Sequence, residues 1–81
     1  MEKISSKETI YNLVSKYPII AIIMDEIGFK DITKPMMLQT AGRYMNLEKG
    51  ADIKGIPWVK IEEEFSKHGF IVEREEQLWV S

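Results

Sequence analysis

Prolines and glycines divide this chain of 81 residues into short segments. Each of the three prolines stands where a helix could begin, because proline suits the first turn of a helix. Three of the five glycines stand where helices could end. These residues are Pro18, Pro35, Pro57, Gly28, Gly55 and Gly69. The pattern predicts one domain over residues 1–81, all-α and built from about five short helices.

The first helix has two alternative start signals. Ser5 and Glu8 form a capping box, in which each side chain would bond a free backbone N–H group, and Thr9 is a competing cap. Apolar residues then recur at the helical spacing i, i+3, i+4, i+7. They are Ile10, Leu13, Val14 and Tyr17. Pro18 disfavours a helical residue before it, so the helix is expected to end near Tyr17.

The segment from Pro18 to Gly28 allows two interpretations. Its isoleucine-rich residues 19–23 resemble a buried strand, because β-branched side chains favour pleated surfaces. Pro18 at a first helical position, and Gly28 at a left-handed cap, favour a helix instead. We favour the helix, and we expect Phe29 to make the apolar contact that often follows such a cap.

Pro35 opens the next predicted helix, with Asp31 or Thr33 as its cap. Gly42 lies inside this helix and weakens it by roughly 1 kcal/mol relative to alanine. The predicted apolar face comprises Met37, Ala41, Tyr44 and Met45. The methionines of this segment, Met36 included, either fill an irregular core or form an adaptable apolar surface.

Two more helices and a tail complete the predicted order. Asn46 caps a short helix over 47–54, and Pro57 opens a helix over 58–68. The apolar stripe of the latter comprises Trp58, Ile61 and Phe65. The residues after Gly69 change to a strand-like pattern. They predict an extended or hairpin C-terminal tail, with Trp79 as a candidate interface anchor.

The composition excludes several classes of function. With 44% hydrophobic and 30% charged residues, the chain is typical of globular proteins, and it has no apolar run suited to a signal peptide or a membrane span. There is no cysteine and only one histidine, His68, so thiol chemistry is excluded and metal catalysis lacks ligands. A net charge of -2 gives no reason to expect nucleic acid or membrane binding. We expect no enzyme activity, no metal and no cofactor.

Several short motifs occur in a characteristic order. They are Tyr17-Pro18, Gly28-Phe29, Thr40-Ala41-Gly42-Arg43 and Gly69-Phe70. In this order the chain resembles, over residues 4–72, a small bacterial helical family catalogued as a domain of unknown function. Its members include redox-disulfide domains associated with hybrid-cluster proteins, and it is similar to the N-terminal domain of di-iron proteins that repair iron–sulfur clusters. The resemblance implies an orthogonal helical array and a cytoplasmic protein.

The chain departs from the redox members of that family at the segment following Gly28. Those members carry a Cys-x-x-Cys pair there, whereas this chain has residues 29–33 without cysteine. Disulfide exchange requires a thiolate, so that activity does not carry over. The resemblance also implies hemerythrin-like or PAS-type sensor regions as neighbours or partners.

Arg43 is the family-matching residue that no cap or core role explains. We expect it to clamp Asp31, Asp25 or a carboxylate at the next helix terminus. Alternatively, Arg43 and Thr40, with nearby backbone N–H groups, receive an anionic ligand or a partner carboxylate.

The sequence therefore predicts a non-enzymatic protein-interaction or regulatory domain acting with a larger cytoplasmic partner. The alternative is a domain that senses a small anionic molecule through an apolar pocket near Arg43.

Overall fold

The computed structural model describes residues 1–74, which form a mostly helical domain with a short two-stranded sheet. The elements, in chain order, are β1 (Glu2–Ser5), α1 (Ile10–Lys16), α2 (Ile19–Ile27), α3 (Pro35–Gln39), a 3-10 turn (Ala41–Arg43), α4 (Leu47–Lys54), α5 (Trp58–Lys67) and β2 (Phe70–Glu73). The five predicted helices and a strand near the C-terminus are confirmed. The one exception to an all-α description is the sheet.

The start of α1 settles the choice between its two caps. Thr9 is the cap, and its hydroxyl accepts a hydrogen bond from the Asn12 N–H at 3.1 Å. The capping box predicted for Ser5 and Glu8 is wrong, because Ser5 belongs to β1 and its hydroxyl accepts from the Lys7 N–H. The predicted end of the helix near Tyr17 is confirmed.

The isoleucine-rich segment is helical, as favoured over the strand. Pro18 caps α2 at its start, and Gly28 ends it with a φ of +129°. The Phe29 N–H donates to the Met24 carbonyl at 2.9 Å, and the Phe29 ring is buried in the core. The chain therefore leaves α2 through a glycine turn that points the next side chain inward.

The predicted third helix is shorter than expected. Pro35 is its first residue, but α3 ends at Thr40, where the backbone has φ -105° and ψ -81°. The cap is Lys34 without a side-chain hydrogen bond, so the prediction of Asp31 or Thr33 as the cap is wrong. After Thr40 the chain continues as the 3-10 turn rather than as the same helix.

The last two helices follow the predicted boundaries. The Asn46 side chain accepts from the Lys49 N–H at 2.8 Å and caps α4, and Gly55 ends that helix in the left-handed region. Pro57 caps α5, and Gly69 follows it with a φ of +87°. Of the predicted stripe, Ile61 and Phe65 are fully buried, and Trp58 packs half-buried against the core.

The sheet joins the two ends of the described chain. β1 and β2 pair in parallel, with Glu2 opposite Phe70 and Ser5 opposite Glu73. Parallel neighbours need a long crossover, and here the whole set of helices supplies it. The predicted hairpin would pair residues 70–72 with residues 78–80. The second of these segments, which contains Trp79, lies outside the described residues.

One continuous core lies beneath the helices and the sheet. Its buried apolar residues are Ile4, Ile10, Leu13, Ile20, Ile23, Met24, Ile27, Phe29, Leu47, Ala51, Ile61, Phe65 and Phe70. They come from every element except α3 and the 3-10 turn. Within residues 1–74, no helix combines the length and apolar character needed to cross a membrane.

Candidate functional surface

The segment from α3 through the 3-10 turn exposes large apolar side chains. Met36 is 77% exposed, Met37 41% and Tyr44 78%. No residue of α3 is buried, because a helix of five residues is too short to turn a broad face to the core. We call Met36, Met37, Arg43 and Tyr44 the methionine–arginine surface. Of the two interpretations of the methionines, the structure therefore supports an exposed surface for Met36 and Met37.

Arg43 is held in place by contacts with its neighbours. Its Nε donates to the Gln39 carbonyl at 2.8 Å, and its guanidinium carbon lies 4.3 Å from the centroid of the Tyr11 ring. Such a cation–π contact also orients the planar guanidinium. The side chain therefore presents its remaining N–H donors from the surface in a fixed direction.

The predicted carboxylate clamp at Arg43 is wrong. Asp31 instead pairs with Lys34 at 3.7 Å, and Asp25 pairs with Lys30 at 3.8 Å. Within residues 1–74, no carboxylate lies within ion-pair distance of the Arg43 guanidinium. Among residues 1–74, no acidic side chain therefore neutralises the charge of Arg43.

Thr40 does not join Arg43 in a common anion site. Its hydroxyl donates to the carbonyls of Met36, at 2.9 Å, and Met37, at 3.3 Å, within its own helix. The Thr40 N–H donates to Met37, and the Arg43 N–H donates to Thr40. Because these donors are already used, the role of Thr40 is to end α3.

The other family-matching residues have structural roles. Pro18, Gly28, Pro35 and Gly69 lie at helix ends, as described above. Gly42 is buried in the 3-10 turn, where a Cβ atom would lie 3.1 Å from Leu38 Cδ1. A side chain at position 42 would therefore require the Leu38 side chain to shift by a few tenths of an ångström.

An apolar cleft of about 60 Å³ lies elsewhere, between the end of α2 and α4. Its walls include Met24, Phe29, Met45 and Ile53, with Lys54 among the lining residues. Arg43 does not line it. This cleft is therefore not the apolar pocket expected beside Arg43, whose guanidinium lies against the Tyr11 ring of α1.

Several ionisable groups outside this surface contact one another. His68 caps the end of α5, and its Nε2 lies 3.5 Å from Glu26 Oε1. Arg74 lies 4.9 Å from the centroid of the Trp58 ring and 3.7 Å from Glu62. Residues 1–74 contain no group of three or more histidine or acidic side chains positioned to hold a metal ion.

Comparison with protein families gives a match over residues 4–61 to the model of a domain of unknown function, DUF1858. The match includes Arg43 and the methionine–arginine surface. The chain belongs to the DUF1858 family. This match confirms the sequence-based expectation of a family of unknown function. Gly28, Gly42 and Arg43 all lie within the matched residues.

One solved structure is similar to this chain over most of its length. It is the crystal structure of the conserved domain protein from Streptococcus pneumoniae TIGR4, with 30% sequence identity and a TM-score of 0.83. The match covers 90% of this chain and 92% of that one. No curated protein matches the chain. The fold is therefore shared with that protein, and function has to be argued from the surface.

The sequence pattern did not indicate Tyr11 as a partner of Arg43. Tyr11 lies beside the predicted apolar stripe of α1 and not on it. This position was the available signal that the ring contributes to the methionine–arginine surface. Ile53 was also missed; it is 70% exposed at the rim of the cleft. Residue spacing predicted neither the contact of Tyr11 with Arg43 nor the position of Ile53 at the cleft. Each depends on how segments that are distant in sequence meet.

Proposed function

We propose that this DUF1858 protein is a non-enzymatic interaction or regulatory domain, which binds a larger cytoplasmic protein through the methionine–arginine surface. The observation that carries this proposal is the exposure of Met36, Met37 and Tyr44 beside an arginine that has no carboxylate partner among residues 1–74.

The chemistry of this surface is that of a protein interface. Aromatic residues, methionine and arginine are the residue types enriched in interfaces, and tyrosine and arginine are frequent hot spots. Methionine side chains adapt to irregular partner surfaces. Arg43 is already stacked on Tyr11, so little conformational entropy is lost when it pairs with a partner.

The charge of the surface indicates the character of the partner. Arg43 is joined by Lys49, whose Nζ donates to the Tyr44 carbonyl at 3.2 Å. A second cation therefore lies close to the backbone of the exposed Tyr44. A partner that offers a carboxylate beside an apolar patch would complement this surface.

The family resemblance supports a more specific partner. The resemblance implies hemerythrin-like or PAS-type sensor regions as neighbours, and we propose a protein of one of these classes as the partner. Trp79, which lies outside the described residues, is a proposed additional contact because tryptophan is enriched at hot spots.

The first test is native mass spectrometry of the protein purified gently from its own host. We expect a stoichiometric protein partner, which Met36→Ser and Arg43→Ala each release. The matched controls are Val59→Ser and Lys60→Ala, which remove an exposed apolar side chain and an exposed cation on α5. Trp79→Ala tests the additional contact.

Two outcomes would contradict the proposal. Retention of the partner by both surface variants would exclude this surface as the contact. Purification with a bound molecule of small mass, which also raises the melting temperature, would favour the alternative function of sensing a small anionic ligand.

A further inference from the structure

The apolar cleft between α2 and α4 has a volume that limits what it can hold. At about 60 Å³ it is larger than the ~10–15 Å³ needed for one water molecule. It is smaller than the ~150 Å³ cavity that accepts benzene. The end of a branched aliphatic group fits between these limits, whereas a whole aromatic ring is too large for the cleft to enclose.

The walls of the cleft favour an apolar occupant. They are formed by Ile10, Met24, Phe29, Ile32, Met45 and Ile53. The one uncharged polar side chain among the lining residues is that of Asn46, and its Oδ1 already accepts from the Lys49 N–H at 2.8 Å. Water has few partners in such a cleft, so an apolar group that displaces it is favoured.

Gly50 on α4 allows the Phe29 ring, which forms one wall of the cleft, to pack closely against the helix. Gly50 also lines the cleft, and a Cβ atom there would lie 3.0 Å from Phe29 Cε1. A side chain at position 50 would therefore push Phe29 from its place. Ile53, 70% exposed, marks the side on which the cleft meets solvent.

The charge beside the cleft is positive. Lys54 is among the lining residues and is exposed, and no carboxylate of the described chain lines the cleft. Within residues 1–74 the Lys54 ammonium is in no ion pair. An occupant that carries an acidic group next to its apolar end would complement both the apolar walls and the Lys54 ammonium.

We propose that this cleft is a docking pocket for one branched aliphatic side chain, leucine or valine, of a protein partner that places an aspartate or glutamate within two residues of it. The inference rests on the proposed function in that the partner is a protein. It deepens that function by naming the chemistry of the partner segment. Met45 lines the cleft and directly follows Tyr44, so one partner could cover both regions.

A random peptide library selected against the whole 81-residue protein tests the inference. We expect selected peptides with leucine or valine next to an acidic residue. Alanine in place of the aliphatic residue should weaken binding at least tenfold, because about two buried carbon atoms are lost from valine and about three from leucine. Ile53→Trp should weaken binding at least tenfold by obstructing the cleft. Lys54→Glu should weaken it about fivefold, as expected for an exposed ion pair.

Matched substitutions on α5 serve as controls. Val59→Trp and Lys60→Glu make the same changes at exposed positions outside the cleft and should alter affinity less than twofold. Melting temperatures of all four variants establish that each is folded.

The outcomes separate this inference from the proposed function. Peptides that lose affinity on Ile53→Trp but not on Arg43→Ala support the pocket, and the methionine–arginine surface is then judged by the mass spectrometry of the Arg43→Ala variant. The reverse result overturns the pocket and supports that surface. Enrichment of aromatic anchors, or failure to select any peptide, overturns the pocket. So does binding of free 3-methylbutanoate as tightly as the peptides, because the site would then serve a small molecule.

Discussion

At the scale of single residues, Gly28 shows how a backbone conformation limits the sequence. Its φ of +129° lies where L-residues are strained, yet a Cβ atom there would meet only Ile56 Cδ1 at 3.6 Å. Conformational strain rather than a clash should therefore determine the effect of Gly28→Ala. We expect a loss of about 1–3 kcal/mol in the free energy of unfolding, measured with urea. Gly55→Asn is the control, because asparagine tolerates the left-handed region, and a loss as large there would contradict this explanation.

Asn46 gives a second prediction at this scale. Its side chain satisfies the Lys49 N–H at the start of α4. Asn46→Ala should lower the free energy of unfolding by about 1 kcal/mol, as for other helix caps. Asn12→Ala, at an exposed position within α1, should change it by less than about 0.5 kcal/mol. If Asn46→Ala and Asn12→Ala had equal effects in urea titrations, the loss of the helix cap would not explain the lower free energy of unfolding.

At the scale of elements, local signals account for what the sequence predicted well. The ends of α2, α4 and α5 were predictable because Pro18, Asn46 and the glycines act on the residues next to them. The end of α3 was not, because a threonine is found both inside helices and at their ends. β1 was missed since a strand of four residues has too little pattern, and its partner β2 begins only at Phe70.

The sheet leads to a prediction about Ile4. This side chain is 3% exposed and is the one buried residue of β1, so it attaches the strand to the core. Ile4→Ala should destabilise the protein by about 2–4 kcal/mol in thermal or urea unfolding. Lys3→Ala removes only an exposed pair with Glu73 at 3.8 Å, and its effect should stay within about 1 kcal/mol. A loss below about 1 kcal/mol for Ile4→Ala would show that β1 contributes little.

At the scale of the whole molecule, the candidate surface was only partly predictable. Arg43 and the methionines were identified from the sequence, since an arginine without a structural role and a methionine pair are visible there. Their environment was not, because exposure of Met36 and stacking of Arg43 on Tyr11 depend on how α1 meets the 3-10 turn. Contacts between distant segments set the direction of a charged side chain, and periodicity does not report them.

Hydrogen bonds made by ionisable side chains predict how the stability of the protein depends on pH. The Tyr17 hydroxyl, on the residue that ends α1, donates to Glu2 Oε1 in β1 at 3.0 Å, and this hydrogen bond raises the pKa of Tyr17 above its ordinary value of 10.0. Hydrogen bonds from Lys16 to Glu8 and from Lys67 to Glu64 likewise raise each lysine pKa above 10.5.

All three shifts act in one direction. Because the unfolded chain releases these protons at a lower pH than the folded chain, the stabilisation is complete below pH 10 and is lost as pH rises through the raised values. The urea concentration at the midpoint of unfolding should therefore decrease as the pH is raised from 10 to above 10.5. Tyr17→Phe should reduce that fall, whereas Tyr44→Phe, at a position 78% exposed, should leave it unchanged. An unaltered pH profile in Tyr17→Phe would mean that the bond between Tyr17 and Glu2 does not link the helices to the sheet.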